Sequence, residues 1–142
     1  MIVRKATQAD IPKLMPFARA FHDKGVFNDK SFNEHGAMSY LNSLMNNAHT
    51  RVFVHEKGVI GVALEQGEMN SGTVLRERFF MAHDRTGAPL LNAFEAWGKE
   101  LRVDKLALSM IVDDGEIPEK LHDYYVGLGY TLVEAVYVKD VS

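Results

Sequence analysis

Apolar residues recur at two periods along the chain, and the switching between them predicts alternating strands and helices. Residues 2–6 read as a short strand. Asp10 then reads as a helix cap, followed by Ile11, Leu14, Met15, Ala18 and Phe21 at three- and four-residue steps. Pro12 suits the opening turn, whereas Pro16 lacks the N–H that an interior helical position donates and predicts a kink or a later start. A loop over 25–30 leads to Ser31 and Glu34, spaced as a capping box, and to a second helix burying Ala37, Met38, Leu41, Leu44 and Met45. Residues 51–66 read as a β-hairpin with Val52 and Val54 going out, a Lys57-Gly58 turn, and Val59, Ile60, Val62 and Leu64 returning. Strict alternation over 73–81 predicts a strand with Leu75, Glu77, Phe79 and Met81 on one face and Arg76, Arg78 and Phe80 on the other.

The second half repeats the alternation. The loop 83–87 opens a helix carrying Leu90, Leu91, Phe94, Trp97 and Leu101 on its core face, and 105–112 reads as a buried strand. Asp113-Asp114-Gly115 forms a turn, Pro118 starts a helix through Leu121, Tyr124, Tyr125 and Leu128, and Gly129 supplies its left-handed stop. Residues 130–141 are strand-like. The order β-α-α-β-β-β-α-β-α-β predicts one α/β (α+β) domain over residues 1–142. Its sheet is central, mixed and mostly antiparallel, with helices on both faces.

Composition narrows the function classes. With 142 residues, 46% of them hydrophobic, the chain has enough material for a core without a covalent staple. It contains no cysteine, which excludes disulfides, thiolate zinc and a cysteine nucleophile, and fits the reducing cytoplasm. A net charge of −3 with dispersed basic residues lacks the stripe that phosphate neutralisation on nucleic acid requires. No stretch reaches the length of a membrane span or resembles a leader, so a cytoplasmic protein is expected. The six histidines show no paired metal-site spacing, so no metal is expected, and neither a nucleophile elbow nor a P-loop lysine is present.

The segment with chemical content is the junction near residues 81–88. A strand that passes through a short glycine-containing loop into a helix gathers free N–H groups at the positive end of a helix dipole, which suits an anion such as phosphate. Gly87 and Ala88 allow close approach and Arg85 adds charge; an ordinary turn is the alternative. Tyr124 and Tyr125 likewise read as core aromatics or as proton donors. Glu77, Glu65, Glu68 and His83 read as solvated groups or as candidate bases.

Four stretches carry a resemblance: IVRKATQADIPKL, VFVHEKGVIGVAL, RERFFMAHDRTGAPLLNAFEAWGKELRVDKLAL and HDYYVGLGYTLVEAVYVKD. In this order they resemble the GNAT superfamily of acyl-CoA-dependent N-acyltransferases over nearly the whole chain. The resemblance implies a GNAT-like fold and acetyl transfer from acetyl-CoA to a primary amine, on a small molecule or a protein. It places the diphosphate at Arg85, Thr86, Gly87 and Ala88. It places the pantetheine arm along the backbone of Phe80 and Met81, where a bulge splays the strand. The family's tyrosine, general acid toward the departing thiolate, falls on Tyr125, and Glu77 is the first choice for the base. The family's loop reads Gln/Arg-x-x-Gly-x-Gly/Ala before a Leu-Leu pair. Aligned on Leu90-Leu91, the last glycine falls on Gly87, while Arg85 stands at the first glycine and Ala82 at the basic position. That departure keeps open a catalytically silent acyl-CoA-binding or protein-interaction module. The acceptor is expected against the first two helices and the segment 21–31. About a dozen residues follow Gly129, few for two closing strands, so an unpaired edge covered by a second copy, a homodimer, is expected.

Overall fold

The structure is a computed structural model that describes residues 1–112 and 115–141. The elements are β1 (Arg4–Lys5), α1 (Ile11–Lys24), α2 (Glu34–Met45), β2 (Thr50–His55), β3 (Gly58–Gln66), β4 (Thr73–Ala82), α3 (Ala88–Leu101), β5 (Lys105–Ala107) and α4 (Glu119–Gly127). They build a five-stranded sheet in the order β1-β2-β3-β4-β5, antiparallel throughout except for the parallel β4/β5 pair. This is the mixed, mostly antiparallel architecture expected from the alternation of periods.

Each face of the sheet has its own core. On one side α1 and α2 bring Leu14, Phe17, Leu41 and Leu44 onto Ala6, Val52, Val54 and Val59. On the other, α3 and α4 bring Leu90, Leu91, Phe94, Trp97 and Tyr125 onto Phe53, Ile60, Val62 and Leu75. Strands β2 and β3 contribute to both layers, because alternate residues of a central strand point to opposite faces. The indole of Trp97 packs edge-on against Phe53 and lies under the guanidinium of Arg51, 4.3 Å from the ring centre.

Several local expectations are corrected. A turn of 3-10 helix over Gln8–Asp10 precedes α1, and α1 runs on through Pro16 without a late start. Asp10 stands at the N-cap position of α1 as expected, but its buried side chain makes no bond to that helix and turns back to the segment before it. It accepts from the Thr7 N–H at 2.8 Å and from both Arg4 nitrogens at 2.7 Å, and these bonds hold its carboxyl well below the usual range. The cap of α2 is Asn33, whose Oδ1 accepts from the Gly36 N–H at 2.8 Å, rather than a Ser31/Glu34 box. Met38, Leu101, Tyr124 and Leu128, placed on core faces by periodicity, are exposed. The hairpin turns one residue earlier, with His55 opposite Gly58. The strand expected over 105–112 pairs only from Lys105 to Ala107. Residues 131–141 join no strand and are exposed throughout. Asp113 and Asp114 of the expected turn lie outside the described residues.

The faces of β4 also differ from strict alternation, and this difference positions the site. Val62 lies opposite Glu77 but Gly61 lies opposite Phe79, so Arg78 is an extra, unpaired residue. Such a bulge reverses the facing of everything after it. Phe79 and Met81 consequently join the α1/α2 core, and Phe80 and Ala82 join the α3 core. Gly61 permits this: the ring of Phe79 occupies the space where a side chain at Gly61 would begin.

Candidate active site

Strand β4 pairs with β5 only from Val74 to Arg76, while its pairing with β3 continues to Ala82. Beyond Arg76 the two strands part. On the β5 side, residues 77–82 of β4 therefore have no strand neighbour among the described residues. Glu77 stands at the fork. Its side chain is 6% exposed, and Oε1 accepts from the Ser109 N–H at 2.9 Å, tying the two diverging segments together. Burial pushes the Glu77 carboxyl above the ordinary carboxylate range, although the Ser109 bonds and Arg76 oppose the shift. Among the described residues Oε2 has no protein partner, yet no side-chain oxygen or nitrogen is both buried and unpaired.

Tyr125 reaches the same region from α4. Its ring is packed in the α3 core beside Tyr124 and Tyr130, each 6.1 Å away between ring centres. Burial, helped by the charge on Glu77 and by Tyr124, pushes its phenol up to about 12. The hydroxyl has no hydrogen-bond partner among the described residues. Tyr40 of α2 lies near enough for Glu77 to raise and Arg78 to lower its phenol, with burial the dominant, raising cause.

The loop from β4 to α3 is the second part of the site. Asp84 and Arg85 both adopt left-handed backbone, φ 56° and 58°, a conformation that glycine accepts more readily. Side chains and main chain hold it. Lys57 Nζ lies 3.0 Å from Asp84 Oδ2, the His83 N–H donates to the Lys57 carbonyl at 2.9 Å, and the Thr86 hydroxyl donates to the His83 carbonyl at 2.6 Å. His55, 3% exposed, completes the frame. The backbone N–H of Lys57 donates to its Nδ1 at 3.0 Å, which leaves Nε2 to carry the ring proton and donate to the Thr86 carbonyl at 2.7 Å. In a trans peptide the C=O and the following N–H point opposite ways. Holding the Thr86 carbonyl on His55 therefore turns the Gly87 N–H away from the hairpin.

That N–H and the N–H of Ala88 have no acceptor among the described residues, and they lie at the start of the 14-residue helix α3. The side chain of Arg85 is exposed and joins no ion pair among the described residues. Donors, dipole and cation meet the requirements of a diphosphate group. Asp84, the one acid in the loop, is engaged by Lys57, which holds its carboxyl below the usual range.

The expected site residues thus occupy one connected region. Glu77 and Tyr125 are at the fork, Phe80 and Met81 are on the free half of β4, and Arg85, Thr86, Gly87 and Ala88 are at the head of α3. A Cβ at Gly87 would stand 2.9 Å from the Phe80 ring, which shows how closely strand and loop adjoin. The competing bases lie elsewhere. Glu65 accepts from Arg76 and Arg78, Glu68 is exposed in a turn, and the His83 ring stacks on Phe17 at 5.1 Å. Sequence reasoning missed His55, Arg78 as the bulge residue, Tyr40 and Ser109. A polar residue ending the apolar run VFVH was the available signal for His55, and the bulge that the resemblance implied at Phe80 and Met81 falls at Arg78 instead. Tyr40 and Ser109 had none. Among the described residues no group of three or more His, Asp or Glu side chains could hold a metal, and no helix is long and apolar enough to cross a membrane.

No family model and no curated protein matches the chain. Solved structures do. The chain superposes along its whole length on the aminoglycoside 6′-N-acetyltransferase AAC(6')-IG of Acinetobacter haemolyticus, with TM-score 0.70, 16% identity and 100% of both chains covered. A GNAT family acetyltransferase of Staphylococcus aureus matches with TM-score 0.65 and 18% identity, over 99% of this chain and 98% of that one. A ribosomal-protein-alanine N-acetyltransferase of Brucella melitensis matches with TM-score 0.68 and 11% identity, over 99% of this chain and all of that one. The fold is one used by acetyltransferases. More particularly, it is the fold of GNAT-family acetyltransferases.

Proposed function

We propose that this protein is a GNAT-family N-acetyltransferase that moves an acetyl group from acetyl-CoA to a primary amine. The observation that carries the reading is the fork at Glu77 and Ser109, where a buried carboxyl and the nearby Tyr125 phenol stand at the start of a strand edge that has no neighbour among the described residues. In this reading Arg85, Thr86, Gly87 and Ala88 hold the diphosphate, and the backbone of Phe80 and Met81 pairs with the pantetheine amides. The acceptor nitrogen loses a proton to Glu77 Oε2, directly or through water, because an ammonium has no lone pair with which to attack. The new C–N bond forms at the thioester carbon, the C–S bond then breaks with the Tyr125 hydroxyl donating to the departing sulfur, and the phenolate regains a proton from the nitrogen, which sheds one on becoming an amide. An N–H on the free half of β4 supports the carbonyl oxygen as it gains charge.

The two side chains are coupled in a productive direction. Glu77's negative charge is one cause of Tyr125's raised pKa, so the phenol becomes a better donor once Glu77 has taken its proton. For the acceptor we propose the hollow of about 260 Å³ between α1, α2 and the sheet, walled by Phe17, Phe21, Tyr40 and Phe79, with Arg78 beside them. Such walls suit an amine with an apolar body better than a polycation, and a cytoplasmic setting supplies both substrates.

A coenzyme-release assay over a panel of aryl and alkyl amines, aminoglycosides and peptides tests the reading. Turnover with any acceptor is expected, fastest for apolar amines. A second reading, an acyl-CoA-binding module without turnover, is favoured by the non-glycine left-handed pair Asp84-Arg85. Saturable acetyl-CoA binding with no release across the panel would establish it.

A further inference from the structure

Arg78 is the residue that the bulge adds to β4, and it lines the hollow between α1, α2 and the sheet. Every other residue walling that hollow is apolar or aromatic, so Arg78 brings the one charge to it among the described residues. Its Nη2 lies 2.9 Å from Glu65 Oε2, while the other oxygen of the same carboxylate accepts from Arg76 Nε at 3.2 Å. Two guanidiniums thus share a single carboxylate. An arginine presents five N–H donors in a planar fork, so a second carboxylate still finds donors on Arg78. The hollow is small, and its volume of about 260 Å³ lies below the roughly 300–1,000 Å³ of a site for a drug-sized ligand. Tyr40, in the same wall, feels the charges of both Arg78 and Glu77, so the cation and the candidate base act near one phenol.

We propose that Arg78 selects the acceptor by its carboxylate: the substrate is a free α-amino acid with an apolar side chain, which fills the hollow while the carboxylate pairs with the guanidinium. Given the acetyltransferase reading on which this rests, the apolar walls account for the side chain of such a substrate and Arg78 for its charge. A carboxylate carried unpaired into those walls would lose its hydration uncompensated, and charge-assisted hydrogen bonds to an arginine replace it. The amine of an α-amino acid is one carbon from the carboxylate, and Glu77 and Arg78 are consecutive in β4. Holding the carboxylate on Arg78 therefore brings the ammonium toward the group that takes its proton. Acetyl replaces one proton of the amine, and the carboxylate passes through unchanged. A peptide N-terminus differs, because an uncharged amide follows its amine and offers Arg78 no ion pair. An aminoglycoside carries only cations, which Arg78 repels.

Calorimetry on the intact chain with 3-phenylpropanoate and with its neutral amide reads the carboxylate alone, without an amine or acetyl-CoA. The acid is expected to bind about 10–100-fold more tightly, the range for hydrogen bonds to a charged group. Arg78→Gln should abolish that preference, and Glu65→Gln, which leaves both arginines without their shared carboxylate, should increase it. In the coenzyme-release assay, L-phenylalanine should show a KM lower than that of L-phenylalaninamide by a similar factor. Equal binding of acid and amide by the native chain overturns the proposal, whether or not the variants fold. So does a preference that survives Arg78→Gln, or a KM for the amide as low as that for the amino acid. No release from any acceptor, with the calorimetric preference intact, would overturn the acetyltransferase reading and leave Arg78 as a carboxylate anchor.

Discussion

The two halves of β4 have the same neighbour on one side and different neighbours on the other. Residues 74–76 lie between β3 and β5, with Leu75 fully buried, whereas 77–82 have β3 alone. Hydrogen-bonding capacity used up in the first half is left over in the second, and the extra residue Arg78 marks the boundary. A strand paired on both edges contributes to stability, while one that loses a neighbour midway gains a backbone edge that a ligand can read. Glu77, the last residue before the bulge, is where these two roles meet.

The sharpest way to break this comparison is to remove the chemistry at the boundary. Tyr125→Phe and Glu77→Gln are each expected to lower kcat about 10²–10⁴-fold, the usual range for a general acid or base, with acetyl-CoA affinity in calorimetry little changed. The Glu77 variant carries a further signature. A base works deprotonated and this carboxyl is raised by burial, so native kcat/KM should climb with pH through a value above the ordinary carboxylate range. That rising limb should be absent from Glu77→Gln. Unchanged turnover in both variants would reduce the pair to packing.

The bulge itself is tested next. Gly61→Val places atoms where the Phe79 ring lies, and overpacking of this kind costs about 1–3 kcal/mol, read from the urea midpoint. An unshifted midpoint would mean that Phe79 does not need that space. Smaller still is the effect on the loop. His55→Phe keeps an apolar ring but loses both hydrogen bonds, so acetyl-CoA should bind about tenfold more weakly, about 1.4 kcal/mol, with kcat nearly unchanged. A fall in kcat at constant affinity would contradict the aiming of the Gly87 N–H. At the bottom of the scale, Glu65→Gln weakens two half-exposed ion pairs to Arg76 and Arg78 and should cost less than about 1 kcal/mol in thermal unfolding.

How much was legible beforehand follows from the range of each interaction. The helix face Leu90, Leu91, Phe94, Trp97 and the hairpin over 51–66 were readable because periodicity and a tight turn are local. So was the left-handed Gly129, φ 98°. The faces of β4 after Arg78 were misread because a bulge is decided by the partner strand. Alternation alone cannot register one extra residue. The α2 cap moved from Ser31 to Asn33 because both residues can cap and only the observed chain path selects between them.

Local patterning by itself determined the element order as far as α4 and the two-sided sheet, because burial periods act within a few residues; Gly87 was marked by its place before a helix, and Glu77 and Tyr125 by the family resemblance. Tertiary structure alone decided that β4 and β5 part at Arg76, that Ser109 binds Glu77, and that His55 turns the Thr86 peptide. Each of these is a contact between segments some thirty residues apart, and its existence depends on where the rest of the chain has already packed.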